Sequence, residues 1–387
     1  MELMTRLDQA EQFILSRLGK DLRLATPLGI GKPNQLINLL YGRAKSDPSF
    51  RLTIFTALSL DIPDPQSDLE ARFVGPFYKK HFGDDYPRLE YVRDLQNHKV
   101  PPHIRIHEFY FQAGSMVGNL EAQRDYVSLN YTHVAQGVFD LRINVIVQLV
   151  AKSTDGRYSL SCNPDLTLDL YDLYKKNSRP LLIIGVVHPE LPFLGGDAEI
   201  DSTFFDAIVE TPEVTHKIFA PPIIPVAATD HAIGLHASRL VCDDGTLQIG
   251  IGSLSDSLVN SSLLRHESND LYKQIINDLD HEFTPLQDLK TETASFLHGI
   301  YGTSEMLMDG FMHLRRAGIL RRIIYDHDEK KQRYLHGAFF LGSRAFYNWL
   351  AQLQGEDFDG LSMTRVSKVN DLYDCLLYTS PSPRDLS

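Results

Sequence analysis

Pro180-Leu181-Leu182-Ile183-Ile184-Gly185-Val186-Val187 carries no polar side chain. Half-buried strands alternate apolar with polar residues, so an unbroken apolar run of this length fits a parallel strand covered on both faces. On its amino-terminal side, Arg51-Leu52-Thr53-Ile54-Phe55-Thr56-Ala57 reads as a buried strand. Leu141-Arg142-Ile143-Asn144-Val145-Ile146-Val147-Gln148-Leu149-Val150 alternates as a third strand should. Helical patterns lie between these runs. Residues 1–20 place Leu7, Ala10, Phe13, Ile14 and Leu18 on one helix face. The turn Pro27-Leu28-Gly29-Ile30-Gly31-Lys32-Pro33 then leads to a second helix, with Asn34 as N-cap and Leu36, Ile37, Leu39 and Leu40 as its apolar positions. Strands alternating with helices predict an α/β architecture.

Pro221-Pro222-Ile223-Ile224-Pro225 reads as a linker, because prolines at this density suit neither a helix nor a central strand. A second α/β unit is expected beyond it. Leu240-Val241-Cys242 and Thr246-Leu247-Gln248-Ile249 read as two strands separated by the hairpin signal Asp243-Asp244-Gly245. Residues 258–296 are charged and helix-periodic, interrupted near Pro285, and read as an exposed excursion. Helices are predicted over Met306 to Ala317 and over Ala345 to Leu353, the latter carrying the sole tryptophan, Trp349. No repeat of solenoid period is present.

With 387 residues the chain can form two ordinary domains or one large one. Its 43% hydrophobic and 23% charged content is that of a globular protein. A formal charge of -12 argues against nucleic acid or an anionic membrane as the main partner, since both reward basic patches. Cys162, Cys242 and Cys375 are too scattered for a disulfide framework or a zinc site and fit a reducing compartment. Glu2, Asp8, Glu11 and Gln12 interrupt any secretion-signal core. No run approaches the ~20 apolar residues of a membrane span. A cytoplasmic location is the expectation.

Two segments suggest chemistry. Asp244-Gly245-Thr246-Leu247-Gln248-Ile249-Gly250-Ile251-Gly252 runs from a strand into a glycine turn, where bare N–H groups can cradle a phosphate or a polarised oxygen. Ser255 replaces the third glycine of a dinucleotide fingerprint. From spacing alone, a ligand loop and a plain strand-to-helix turn are equally supported. The second segment is Gly302-Thr303-Ser304-Glu305-Met306-Leu307-Met308-Asp309-Gly310. A glutamate between small residues and an apolar run is expected to be partly desolvated, which is costly unless it has a task. Such a nucleophile could form an acyl anhydride and then a thioester. Its neighbours alone favour a simpler role: a first-turn helix glutamate favoured by the macrodipole, with Thr303 or Ser304 as cap.

Other candidates are weaker. Ser253 and Ser304 lie outside any G-x-S-x-G elbow. His103/His107 and His231/His236 lack two further ligands at fitting geometry, so no metal is expected. Asp243 and Asp244 read as turn residues. Arg315, Arg316, Arg321 and Arg322 could meet phosphates but fit a solvated helix face better. The stretch Cys375 to Ser387 has no period and two Ser-Pro steps, and it resembles a translated sequencing adapter. The expectation is a coding sequence interrupted near Asp374.

Taken in order, several segments resemble the acetyl-CoA hydrolase/transferase family, relatives of 4-hydroxybutyrate and acetate CoA-transferases, over residues 26–374. In the amino-terminal part these are Pro27 to Pro33, Asn163-Pro164-Asp165 and Pro189-Glu190-Leu191-Pro192. More specific are Asp230-His231-Ala232-Ile233-Gly234-Leu235-His236-Ala237, the stretch Asp244 to Gly252, and Ser304-Glu305-Met306 with Asp309-Gly310 behind. The resemblance implies two α/β domains of the NagB/RpiA/CoA-transferase-like fold. They would be residues 1–220 and 226–374, the second incomplete, with 375–387 a non-native tail. It puts the family's catalytic glutamate on Glu305 and its CoA-contacting loop on Gly250, Ile251, Gly252, Ser253 and Leu254.

The implied reaction is CoA transfer, or acyl-CoA hydrolysis, on small acyl-CoA thioesters through a glutamyl-CoA thioester. Coenzyme A enters as substrate and product, and no metal or redox cofactor is needed. The implied partners are acyl-CoA and small carboxylates, with neither nucleic acid nor membrane, and a homo-oligomer is compatible. Two departures stand out. Compact members lack the excursion at 258–296, and members continue beyond this chain's end into glycine-rich loops that nothing in 311–387 matches. A silent acyl-CoA or carboxylate binder, and a sugar-phosphate isomerase-like enzyme using Glu305 as general base, remain the alternatives.

Overall fold

A computed structural model describes residues 1–280 and 290–369. Pro285, the interruption expected near Asp374 and the adapter-like tail lie outside the described residues. The chain divides between Ala220 and Pro221 into two compact units, and residues 365–369 belong with the first. The sequence had assigned that last stretch to the second domain.

Unit 1 contains nine strands: β1 (Glu2–Met4), β2 (Asp21–Ala25), β3 (Arg51–Thr56), β4 (Ile104–Glu108), β5 (Val145–Lys152), β6 (Tyr158–Ser159), β7 (Leu182–Val187), β8 (Glu199–Ile200) and β9 (Ala207–Val209). Its helices are α1 (Leu7–Leu18), α2 (Asn34–Ser46), α3 (Asp68–Phe82), α4 (Glu90–Gln96), α5 (Leu120–Asp125), α6 (Val134–Asp140) and α7 (Thr167–Lys176). The main sheet runs β1-β9-β7-β5-β2-β3-β4, every neighbour parallel. β6 and β8 attach antiparallel beside β5. β5 and β7 are buried along nearly their whole length, which is why their sequences read as apolar runs. Each fully buried Ile or Val there contributes about 1.5–3 kcal/mol of transfer free energy. A core of Phe55, Val138, Phe139, Ile146, Leu170 and Tyr174 packs α6 and α7 against this sheet.

Three boundaries in unit 1 differ from the sequence reading. The first helix starts at Leu7, because Glu2–Met4 pairs with β9. The third strand starts at Val145, since residues 141–144 turn out of α6 with Arg142 at φ 55°. Asn34 lies inside α2 instead of capping it. Its amide donates to the Tyr86 hydroxyl at 3.2 Å and the Pro87 carbonyl at 2.8 Å.

Unit 2 has a parallel sheet of β10 (Thr246–Leu247), β11 (Tyr301–Leu307), β14 (Leu335–Phe340) and β15 (Leu361–Met363), in that order. An antiparallel pair, β12 (Ile324–Asp326) and β13 (Lys331–Arg333), is inserted before β14. Its helices are α8 (Ala228–Ser238), α9 (Ser253–Glu267), α10 (Asn269–Asp280), α11 (Asp309–Arg316), α12 (Arg344–Ala351) and α13 (Gly355–Gly360). Among the described residues no helix is long and apolar enough to cross a membrane.

Three expectations fail here. Leu240-Val241-Cys242 is not a strand and no hairpin forms. The chain leaves α8 through successive turns, and Thr246–Leu247 pairs in parallel with β11. Parallel pairing needs a crossover, so the Asp243-Asp244-Gly245 turn cannot join two neighbouring strands.

The helix expected from Met306 begins only at Asp309. Met306 and Leu307 extend β11 opposite Phe339 and Phe340. Residues 258–280 are not an exposed excursion, for α9 carries buried Val259, Ser261, Ser262 and Arg265 and α10 carries buried Tyr272 and Ile276. The Arg265 side chain has no exposed surface and donates to the carbonyls of Ser238 (2.9 Å), Val241 (2.6 Å) and Ala294 (2.7 Å).

Candidate active site

β10, β11 and the start of α9 converge on the two segments singled out in the sequence. Thr246 lies opposite Tyr301 and Leu247 opposite Gly302, in parallel register. Beyond Leu247 the ladder ends, and a side chain takes over. The buried Ser304 hydroxyl faces the Ile249 carbonyl at 3.1 Å and the Met306 carbonyl at 2.9 Å.

Gly250, Ile251 and Gly252 are exposed, while Leu247 and Ile249 point into the core. Gly252 has φ +123°, a backbone region that only glycine occupies at little cost. It opens the 15-residue α9 without a side-chain cap, and this leaves the first-turn N–H groups facing outward. Ser253 and Leu254 form that first turn. Such a helix start favours an anion or a developing negative oxygen.

Glu305 is half-buried on β11, not in a first helical turn, so the helix-start reading of this residue falls. Among the described residues its carboxylate makes no hydrogen bond and no ion pair. Burial raises its pKa above the ordinary glutamate value, and no neighbouring charge is among the causes. A carboxylate held this way is poorly solvated and poorly compensated.

The remaining candidates take structural places. Asp243 accepts N–H bonds from Leu297 (2.9 Å), His298 (2.9 Å) and Gly299 (2.7 Å), which depress its pKa against the cost of burial. Arg315 pairs with Asp357 and Arg322 with Asp244, and Arg321 donates to the carbonyls of Phe296 and Leu297. Arg315, Arg321 and Arg322 are engaged within unit 2, while Arg316 is exposed on α11. His103 and His107 bond the carbonyls of Ala44 (2.8 Å) and Asp125 (3.0 Å).

The sequence reading passed over one buried network, Tyr301–His336–Asp326. His336 bonds Tyr301 Oη at 2.6 Å through Nδ1 and Asp326 Oδ2 at 2.8 Å through Nε2. Asp326, Glu329 and His336 stand close enough to share a metal ion. Their donors are engaged already: Asp326 Oδ1 accepts the N–H groups of Asp328 and Glu329, and Glu329 bonds Ser362 and Arg333. Arg333 brings the positive charge, so this cluster works as a structural tie. A histidine ten residues beyond an aspartate gave no signal, because β12 and β13 fold the two together.

In unit 1 two of the quoted amino-terminal segments meet, Pro27 to Pro33 and Asn163-Pro164-Asp165. A Cβ on Gly31 would collide with the Asn163 amide. Asp165 bonds Tyr131 Oη, and burial raises its pKa to about 6. Lys32 is buried beside them and donates to the Ala57 and Leu58 carbonyls, at 2.5 and 3.2 Å.

No protein-family model matches the chain. It is similar to a curated succinyl-CoA:cyclohexane-1-carboxylate CoA transferase of Geobacter metallireducens, with 25% identity over 197 residues, 48% of this chain and 43% of that one. It is also similar to a 4-hydroxybutyrate coenzyme A transferase of Clostridium kluyveri, with 24% identity over 280 residues, 69% of this chain and 54% of that one. The chain thus spans about half the length of the curated relatives it matches.

Among solved structures it shares its fold with RipA of Yersinia pestis, with a TM-score of 0.59 and 17% identity over 96% of this chain and 69% of that one. A 4-hydroxybutyrate CoA-transferase of Porphyromonas gingivalis gives a TM-score of 0.55 and 15% identity over 95% and 68%. The fold is that of a CoA-transferase structure, and over the matched residues the sequence is similar to curated CoA-transferases.

Proposed function

We propose that the protein transfers coenzyme A between small acyl-CoA thioesters and carboxylates, with Glu305 as the covalent acceptor. The observation that carries this is the half-buried, unbonded carboxylate of Glu305, next to Ser304, whose hydroxyl reaches the Ile249 carbonyl at the root of the glycine loop that opens α9. Similarity to CoA-transferases of Geobacter metallireducens and Clostridium kluyveri supports the reaction class.

A Glu305 carboxylate oxygen attacks the acyl carbonyl, the C–S bond breaks, and CoA thiolate leaves an acyl-glutamyl anhydride. The thiolate then attacks the glutamyl carbonyl and expels the first carboxylate, giving glutamyl-CoA. An acceptor carboxylate attacks that thioester and releases thiolate, and thiolate attack on the new acyl carbonyl forms the product and frees Glu305. Each addition puts negative charge on a carbonyl oxygen, which the N–H groups of residues 250–254 would stabilise. Water in place of the acceptor makes the same site an acyl-CoA hydrolase.

Exchange of CoA between acetyl-CoA and a labelled carboxylate tests the reading. Glu305→Gln should lower exchange by at least about a thousandfold, since no covalent intermediate can form. Full turnover in that variant would refute it. A silent binder would show no exchange in either form, and an isomerase-like enzyme would act on a sugar phosphate instead.

A further inference from the structure

We propose that Ser304 is a positioning residue that sets the glycine loop against Glu305, an inference that rests on the nucleophilic role of Glu305. The β10–β11 ladder is only two residues long and ends at Leu247 opposite Gly302. β11 continues five residues past that point, while the other chain turns into Gly250–Gly252. Between the end of the ladder and the loop, the Ser304 hydroxyl is the hydrogen-bond link from β11 to the Ile249 carbonyl among the described residues. Ser304 directly precedes Glu305, and Ile249 directly precedes Gly250. One hydroxyl therefore fixes both reacting partners at their roots.

The geometry excludes a looser role. Ser304 is 1% exposed and its hydroxyl faces two backbone carbonyls, Ile249 at 3.1 Å and Met306 at 2.9 Å. Its bonding partners are both backbone acceptors, so the hydroxyl holds instead of reacting. With one proton to donate, the hydroxyl shares it between the Ile249 carbonyl on the facing chain and the Met306 carbonyl on its own strand. On its far side the loop is tied into α9, where the Gly252 carbonyl accepts the Asp256 N–H at 3.1 Å. On its near side Ile249 is held by the Ser304 hydroxyl and by packing beside Gly310.

The test follows formation of the Glu305–CoA adduct in single turnover for the intact wild type, Ser304→Ala and Ser304→Thr, with amide exchange of residues 250–252 measured alongside. The alanine variant should form the adduct about 10–100-fold more slowly, the scale of a small misplacement, with KM for acyl-CoA changed less than about threefold. Its loop amides should exchange at least about tenfold faster, and threonine should restore both readouts. If alanine prevents folding, Ser304→Cys keeps the volume with a weak donor and should show the same pattern. Wild-type rates and exchange in the alanine variant would overturn the proposal, as would equal slowing by alanine and threonine. No adduct on wild-type Glu305 would instead overturn the nucleophile assignment, and this inference with it.

Discussion

Gly310 leaves the space that Ile249 fills: a Cβ on Gly310 would lie 2.7 Å from Ile249 Cδ1 and 2.9 Å from Val259 Cγ2. The first turn of α11 therefore presses on the residue that carries the glycine loop. Gly310→Ala must push Ile249 outward. The expected result is a loss of about 1–3 kcal/mol, the usual cost of overpacking, together with slower CoA exchange. Urea unfolding and exchange kinetics on the same preparation check both, and unchanged values would mean that the loop is not set by Ile249.

Lys32 and Glu108 are buried in unit 1, where desolvation pushes the lysine down to about 7 and the carboxyl up to about 7. Each one's charge partly offsets that shift in the other. From pH about 4.5 to 7 the folded state holds a proton on Glu108 that the unfolded state has lost, so this group's contribution to stability falls as pH rises. From about 7 to 10.5 the unfolded state holds the Lys32 proton that the folded state has lost, so stability rises again. Lys32→Met should destabilise the protein at neutral pH, since Glu108 loses the charge that lowers its pKa and must be held protonated there. Lys32→Met/Glu108→Gln should recover part of that and flatten the pH dependence. Additive losses in urea unfolding would show that the two side chains do not act together.

Arg265 joins α9 to the carbonyls of Ser238, Val241 and Ala294 from a position with no exposed surface. Burial lowers its pKa, the direction expected of a cation held mainly by carbonyls. Arg265→Met strands three buried acceptors, and a loss on the order of 3–5 kcal/mol is expected. Hydrogen exchange should rise first in residues 290–296. A small loss, or protection unchanged there, would restore the reading of this region as a loosely held excursion.

Burial raises the pKa of Glu305, so the unfolded state loses this proton at lower pH than the folded state. Its contribution to folding therefore falls as pH rises past the ordinary glutamate range, and the cost persists at neutral pH. Glu305→Gln should raise the thermal midpoint at pH 7 relative to pH 4, even as activity is lost. A lower midpoint at pH 7 would mean that the carboxylate has a stabilising partner after all.

Much of this molecule could be read from its sequence, and the misses share a cause. The β7 run was legible because burial on both faces removes every polar residue, and that pattern survives without coordinates. β11 was not. Tyr301 to Leu307 mixes glycine, threonine, serine and glutamate, and its strand state comes from pairing with Leu335–Phe340, which no local pattern reveals. Arg265 falls in the stretch read as exposed, and its partners are carbonyls distant in sequence. Glu305 and Gly250–Gly252 were found as candidates, but the parallel pairing of β10 with β11 that precedes them has no local signal. Ser304, read first as a cap or a nucleophile, had no sequence signal for bonding the Ile249 carbonyl 55 residues earlier.

Peptide mapping after incubation with acetyl-CoA tests the central claim most directly. Borohydride added during turnover should reduce a glutamyl thioester at Glu305 to the alcohol, and hydroxylamine should convert it to the hydroxamate. The account predicts one modified peptide, carrying the change at Glu305 and absent from Glu305→Gln. Modification at another carboxylate, or an unmodified Glu305 in protein that turns over acetyl-CoA, would contradict it.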